Sequence, residues 1–569
     1  MGSIGTDSSP EPYYDLGTYK WTVTSDSPEA QLWANRGLIW AYSFNHEEGI
    51  KCFKEAVKHD PSCAIAHWGV AFCSGPNYNK AWALFGREDV LKSSQLVKDA
   101  LDRALELSTQ ASPAEQKLIK ALGARFPPVG TIPDDFSPLN RAYADAMRPV
   151  YEAHPDDVDV AALFAEALLC ISPRGLWDLD TGKPTGDHTV EAQNVIERAF
   201  ESPEGFAHPA HCHLYIHLLE MSPVPELALP AADRLRGMVP NASHMLHMPT
   251  HIDAAVGDYR RGISSNDEAM AADDAYFAKL GPLDCLLYRA YRAHYVSAKL
   301  YSSIMAGRYF DALSAANKME EILPEYILTA PSRLPLADIM EPFLGSKAHV
   351  LIRFGRWEDI LNLPIPSNRE LYCSTYAVTL YARGIALSAL NRIPEAEATY
   401  QEFLLAREKV PMTRLNSIPV RQYNVLGVAE KMLAGEIAYR KGDFDTAFSI
   451  LREAAAREDN LQYSDPPPWM QPVRHALGGL LLEQGRVAEA ERVFREDLGC
   501  AEGYPRRKAK LNNVWGLQGL HESLVRGGKE DEARLVKPGL DVAMAGADVE
   551  LNVSCFCRLE KVGQGKGFC

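Results

Sequence analysis

The sequence predicts an all-α solenoid, a superhelix of antiparallel helix pairs around an internal pocket lined by histidines. Three observations predict it. Helical apolar spacing runs through most of the chain, and strand signals are nearly absent. Two-helix units with small and large residues at fixed offsets recur in both the N-terminal and the C-terminal parts. Seven of the 16 histidines fall in the 44 residues from 208 to 251, where random placement would put about one.

The repeat units come first in the chain. In residues 30–63, AQLWANRGLIWAYSFNHEEGIKCFKEAVKHDPSC, Trp33, Gly37 and Trp40 take the Trp, Gly and Tyr positions of the tetratricopeptide pattern. Gly49, Phe53, Ala56 and Pro61 take its second-helix and closing positions. Small residues let two helices cross closely, large ones fill the gap between them, and Pro61 stops the second helix. The C-terminal half repeats the scheme with Gly384, Ala396 and Tyr400, then Gly435, Gly442, Ala447 and Leu451, then Gly478, Gly485, Ala490 and Phe494. Trp515, Gly519 and Ala533 form a fourth unit, one residue out of step. Such units fix a fold and say little about chemistry.

The chain therefore divides into a loose N-terminal tail (1–28), N-terminal repeats (29–125), a central helical region carrying the histidines (126–370), C-terminal repeats (371–545) and a Cys-bearing tail (546–569). The centre departs from the repeat pattern, with helical spacing over 156–171, 226–239 and 284–306 and Pro-rich turns at Phe126-Pro127-Pro128 and Ser222-Pro223-Val224-Pro225. Ser464-Asp465-Pro466-Pro467-Pro468 reads as a rigid turn before Trp469.

Composition excludes several classes. A formal net charge of −16 opposes a nucleic-acid or anionic-membrane surface. No apolar run approaches a membrane span, and no targeting segment is visible, so a cytoplasmic location is expected. The eleven cysteines include no Cys-x-x-Cys pair and are expected to stay reduced. Cys555-x-Cys557 and Cys569 are a faint sign of metal or redox chemistry. HExxH, Gly-rich phosphate loops, a GxSxG elbow and a dinucleotide fingerprint are all missing.

The histidines carry the chemistry. In HPAHCHLYIHLLEMSP, His213 and His217 are four apart and Glu220 three further on, so all three share one helix face. In NASHMLHMPTHIDAAVGDY, His244, His247 and His251 repeat that spacing, with Pro249 kinking the helix or starting a new one. Two such faces are what a metal site between helices needs, and neutral imidazole suits Zn, Cu, Fe and Ni. The alternative is a hydrogen-bonded or pH-sensitive polar seam. His213, His217, His247 and His251 form the core ligand set. His244 stands between ligand and supporting partner. Glu220 reads as ligand, general base or the group holding an imidazole tautomer. His208 and His211 precede the regular face, and His208, before Pro209, suits a cap or turn. Taken alone, His46 begins a repeat helix, His294 is a core histidine, and Asn77 and Asn79 belong to a Gly-Pro-Asn turn.

Across RGLIWAYSFNHEEGIKCFKEA, HWGVAFCSGPNYNKAW, HPAHCHLYIHLLEMSP, ALPAADRLRGMVPNASHMLHMPTHI, VLIRFGRWEDIL, PPPWMQPVRHALGGLLLEQG and NNVWGLQGLHESL, the chain resembles a family of large bacterial and fungal tetratricopeptide-repeat proteins with a His-rich central segment. The resemblance implies that His46 belongs with His213, His217, His247 and His251, and that His294 matches a further family histidine. Where the family carries a second histidine three residues earlier, this chain has Tyr291. It also implies that Trp469, Arg474, Asn513 and Trp515 face the same interior.

The resulting expectation is a metal-dependent enzyme with one or two Cu, Fe or Zn ions. His46 and Glu220 are its catalytic candidates, with Asn77, Asn79, Trp469, Arg474, Asn513 and Trp515 around a small organic substrate. Oxidative chemistry on Cu or Fe, in fungal secondary metabolism, stands ahead of zinc-dependent hydrolysis or lysis. The other class is a non-catalytic scaffold binding a protein or peptide partner, its histidines structural.

Overall fold

The computed structural model describes residues 13–286, 288–332 and 335–558. Helices dominate. Among the described residues the strands are one short hairpin, Leu415–Ser417 with Val420–Arg421. Most helices pack chiefly on their sequence neighbours, as in the pairs Pro28–Tyr42 with His46–His59, Cys373–Ala389 with Ile393–Glu408, Gln422–Arg440 with Phe444–Asp459, and Val473–Glu483 with Val487–Asp497. This is the all-α, tetratricopeptide-like solenoid that the repeat units predict.

The repeat offsets work through aromatic clamps. A Cβ placed on Gly37 would lie 2.8 Å from the Phe53 ring, and one on Gly69 2.3 Å from it. Phe53 is therefore gripped between the first helix of one unit and the first helix of the next. Phe494 is held the same way, with 2.4 Å at Gly478 and 2.2 Å at Gly519. Contacts that close admit only glycine, which is why the sequence period is so visible.

Helix starts follow local polar chemistry. Asn45 caps His46–His59, Asp443 caps Phe444–Asp459, and Ser112 forms a reciprocal capping box with Glu115. The central region contributes Val158–Leu169, Pro209–Leu219, Ser243–His247, Pro249–Val256, Tyr259–Phe277 and Tyr288–Met305.

The C-terminal half returns to the middle of the chain. Trp515 Nε1 donates to the Ile304 carbonyl at 2.8 Å, and the Asp548 carboxylate accepts from the backbone N–H of Tyr309 (2.6 Å) and Phe310 (3.1 Å). Tyr463 joins the core of the N-terminal half. These crossings bring residues 463–465 to the histidines.

Two terminal expectations need correction. Residues 13–27 pack instead of trailing as a tail: Leu16 and Val23 are buried, and Tyr13 and Tyr14 stack edge-on against Trp33 and Trp40. Residues 547–558 also pack, with Leu551, Val553 and Cys557 buried. Nor do all cysteines stay reduced. The tight turn at 555–557 brings the Cα atoms of Cys555 and Cys557 to 5.2 Å and their sulfurs are bonded, whereas the other eight described cysteines are free. Cys569 lies outside the described residues.

One buried acid makes folding pH-dependent. Asp273, on Tyr259–Phe277, is fully buried. Burial pushes its carboxyl up to about 7, against the opposing pull of Ser243 and Arg292. A folded-state value above the unfolded one means that the native state holds the proton more tightly. That stability is fully present below the unfolded value and is lost as pH rises through 7. Asp273→Asn should flatten this dependence: relative to wild type, it should gain on the order of 2–3 kcal/mol between pH 5 and pH 7.5 in denaturant melts. A difference that stays constant with pH would contradict the assignment.

Candidate metal centre

Two local devices present the histidines. His208 caps Pro209–Leu219 through its own side chain, Nδ1 accepting from the Ala210 N–H at 3.2 Å, and Pro209 takes the first helical position. His213 and His217 then fall one turn apart on that helix. In the second segment Pro249 ends Ser243–His247 and starts Pro249–Val256, which Gly257 closes with φ 80°. The break leaves His244 and His247 on one short helix and His251 on the next.

Six imidazoles gather there in two sets of three. His213, His217 and His244 offer ligand atoms all within 4.8 Å of one another, and so do His247, His251 and His294. Each set takes two histidines from one segment and completes itself from another: His244 joins the pair on Pro209–Leu219, and His294, on Tyr288–Met305, joins His247 and His251. The sets are contiguous, with ring centroids 5.7 Å apart for His217 and His251 and 6.1 Å for His244 and His247.

Hydrogen bonds orient the rings in one sense. Nδ1 of His213 meets the Tyr42 carbonyl at 2.7 Å, Nδ1 of His217 meets Glu220 Oε1 at 2.9 Å, and Nδ1 of His247 meets Asn266 Oδ1 at 2.7 Å. Nδ1 of His251 meets Glu220 Oε2. With Nδ1–H donating to these acceptors, Nε2 of His213, His217 and His247 carries a lone pair inward. Nε2 of His213 and His217 and both nitrogens of His244 are buried without a hydrogen-bond partner among the described residues. Nε2 of His247 and Nε2 of His251 face each other at 3.0 Å. Lone pairs converging in a buried interior are satisfied by a cation or a proton between them.

Glu220 therefore spans both sets from behind. Burial alone would raise its carboxyl, but His251 and His217 hold it well below the usual carboxylate range. Tyr463 OH donates to Glu220 Oε2 at 2.7 Å, and Asp465 lies 3.3 Å from His251 Nδ1. Burial pushes the imidazoles of His213, His244, His247 and His294 well below their ordinary value, and neighbouring imidazoles push further. His217 falls to about 4 through burial, against the pull of Glu220. For His251 the Asp465 and Glu220 carboxylates outweigh burial and raise it. Five of the six rings are thus neutral, the state that binds metal.

The remaining sequence candidates are placed as follows. His46 packs on Phe72 with ring centroids 6.0 Å apart and belongs to neither set. Burial, aided by Arg125 and Lys80, lowers it to about 3. It is Phe44, two residues earlier, that lies over His213, His217 and His244. Asn77 shapes its turn by accepting from the N–H groups of Asn79 and Lys80. Asn79 accepts from Arg174 at 2.8 Å, and the neighbouring Tyr78 ring packs at a tilt on His217, with centroids 4.5 Å apart. Trp469 packs on His349 and Tyr381. Arg474 is paired with Asp459 and Glu496, Asn513 caps Val514–Arg526, and Trp515 bonds the Ile304 carbonyl beneath the Arg353 guanidinium. Arg474, Asn513 and Trp515 thus make their contacts away from both sets.

Sequence reasoning missed Arg174, Tyr463 and Asp465 as site residues. Arg174 holds a left-handed backbone (φ 59°), its N–H donating to Tyr78 OH at 3.1 Å. That conformation is strained for a residue with a side chain and often marks a functional position. Asp465 was visible only as part of a turn.

Two cavities approach the second set. One of about 90 Å³ is bounded by Glu220, His251, Tyr463, Asp465 and Trp469 together with the 506–510 segment. The other, about 30 Å³, touches His294 and His349, and Pro466, Pro467 and Pro468 border it. Neither is bounded by His213, His217 or His244.

Comparison with known proteins fits the repeats. The tetratricopeptide-repeat pattern matches residues 377–402 and 471–496. No curated protein matches the chain. Among solved structures it is similar to Naa15/Naa10 bound to HypK-THB, at 13% identity over 91% of this chain and 70% of that one, with a TM-score of 0.21. It is also similar to yeast Tom70, at 14% identity over 88% of this chain and 96% of that one, with a TM-score of 0.32. Among the described residues no helix is long and apolar enough to cross a membrane. The matched repeats are thus two helix pairs of the C-terminal half, outside both histidine sets.

Proposed function

We propose that the chain is a metal-dependent enzyme on a tetratricopeptide-like solenoid, acting on a small organic substrate. One transition-metal ion is held by His213, His217 and His244, and a second by His247, His251 and His294. The observation that carries this reading is the clustering of six buried imidazoles in two sets of three, with Nδ1 of His213, His217, His247 and His251 tied to a buried acceptor. A hydrogen-bonded seam would pair its ring nitrogens, whereas Nε2 of His213, Nε2 of His217 and both nitrogens of His244 are buried with no hydrogen-bond partner among the described residues.

Donor type narrows the metal. Both sets are all-imidazole, and Glu220 is occupied on the Nδ1 side, so neither set has the two-His, one-carboxylate pattern of many non-haem iron sites. Copper, supplying oxidative chemistry when bound, is the favoured occupant, and zinc with hydrolytic chemistry follows. Around them the chain's own groups orient the imidazoles, and the Asp465 carboxylate pairs with His251.

A second reading has its own support. His213, His244 and His247 are 0% exposed and His217 1%, and closed sites are the mark of structural metals. In that case the metals brace a scaffold whose repeats bind a protein or peptide partner. Metal analysis of purified protein should find about two copper or zinc ions per chain. A Cu(II) spectrum that bleaches on reduction supports the enzyme. A silent metal whose chelation mainly lowers the melting temperature supports the scaffold. Protein without stoichiometric metal would refute both forms.

A further inference from the structure

We infer that the cavity beside His251 is a binding site for the oxyanion group of a small molecule, a carboxylate or a phosphate, with Arg507 as its anchor. As an account of substrate class this rests on the proposed metal reading, although the binding site itself does not require a metal.

The argument is one of elimination among the charges around the cavity. Four basic residues come from one short run. Arg506 donates to Glu226 and to the Ala255 carbonyl, Lys508 pairs with Asp180 at 2.5 Å, and Lys510 pairs with Glu458 at 3.2 Å. The acids are committed as well. Asp459 is gripped by both ends of the Arg474 fork, Glu220 serves His217, His251 and Tyr463, and Asp465 pairs with His251. Arg507 is left. Its guanidinium makes no hydrogen bond or ion pair within 4 Å to any described residue, and its Nε is buried without a partner.

What holds Arg507 is the Tyr463 ring, whose centroid lies 4.2 Å from the guanidinium carbon. Stacking uses the face of the cation and leaves its edge of N–H donors, the fork that binds carboxylate and phosphate with two parallel hydrogen bonds. Its Nε–H is buried without an acceptor, which costs free energy, so this edge of the guanidinium is left for an acceptor the protein itself does not supply. The cavity's roughly 90 Å³ suits such a group with a few further atoms, since a cavity of about 150 Å³ accommodates benzene. Location gives the site its meaning. The hydroxyl of Tyr463 bonds Glu220, which bonds His251, and the cavity is bounded by all three. An anion on Arg507 would hold the rest of its molecule next to the second histidine set.

Calorimetric titration of the full-length protein with acetate and with inorganic phosphate tests this, with metal content measured on the same samples. Wild type should bind at least one probe in the millimolar range or tighter, and the preferred probe tells carboxylate from phosphate. Arg507→Gln should weaken that binding roughly tenfold or more with metal content unchanged, and Arg507→Lys, which keeps the charge but loses the fork, should fall between. Equal binding by Arg507→Gln and wild type, or no binding of either probe by wild type, overturns the inference. Arg507-dependent binding to protein that holds no metal would sink the metal reading and leave the anion site standing. Metal without Arg507-dependent binding would do the reverse.

Discussion

Glu220→Gln should weaken metal binding at both histidine sets by about 10- to 100-fold while leaving the helices in place. The reason is one of donors and acceptors. The carboxylate accepts from Nδ1 of His217 with one oxygen and from Nδ1 of His251 with the other, and also receives the Tyr463 hydroxyl. Glutamine has the same shape but only one acceptor oxygen, so its NH₂ must face one of the two imidazoles. That ring must then move its proton to Nε2 or turn away, and either change removes a lone pair from the metal position. An unpaired buried donor costs about 1–3 kcal/mol, which matches the stated loss of affinity. Metal titration followed by competition with a chelator measures it. Unchanged affinity at both sets would mean that Glu220 has no hold on the ligands.

His213→Ala and His247→Ala should each leave about one metal ion per chain where wild type holds two, and the ion retained should differ between them. A three-imidazole site that loses one ligand keeps two, too few for stable binding, whereas the other set keeps all three of its rings. His46→Ala should keep both ions, because His46 packs on Phe72 and belongs to neither set. Elemental analysis with a spectroscopic signature for each site reads these outcomes. If either alanine variant lost both ions, the six histidines would form one interdependent centre.

Much of this was legible in the sequence. Gly37, Gly478 and Gly519 advertise the solenoid because an aromatic ring presses on each of them, and a contact that close tolerates no other residue. The histidine spacing reveals the two helical faces because i, i+4 geometry is local. The division into sets was not legible. His244 and His294 complete their sets across helix packing, and no short-range pattern encodes that. Tyr42 is still less visible, since it contributes a backbone carbonyl that any residue could supply. Tyr463 reaches Glu220 across 243 positions of chain. Arg474, Asn513 and Trp515 sit in equally distinctive blocks, yet their contacts are an ion pair, a helix cap and a carbonyl bond.

The bond from Tyr463 to Glu220 has a thermodynamic consequence. Glu220 belongs to the half of the molecule that carries the proposed metal ligands, and Tyr463 to the half that curls back onto it. Ligand occupancy and the docking of these halves therefore share one free energy, and linkage is reciprocal. An ion that favours the docked arrangement is bound more tightly once the halves are docked, and by the same factor it holds them together. With ions bound as proposed, the protein would act as a latch: prying the superhelix apart would loosen the ions, and filling the sites would stiffen a molecule more than 500 residues long.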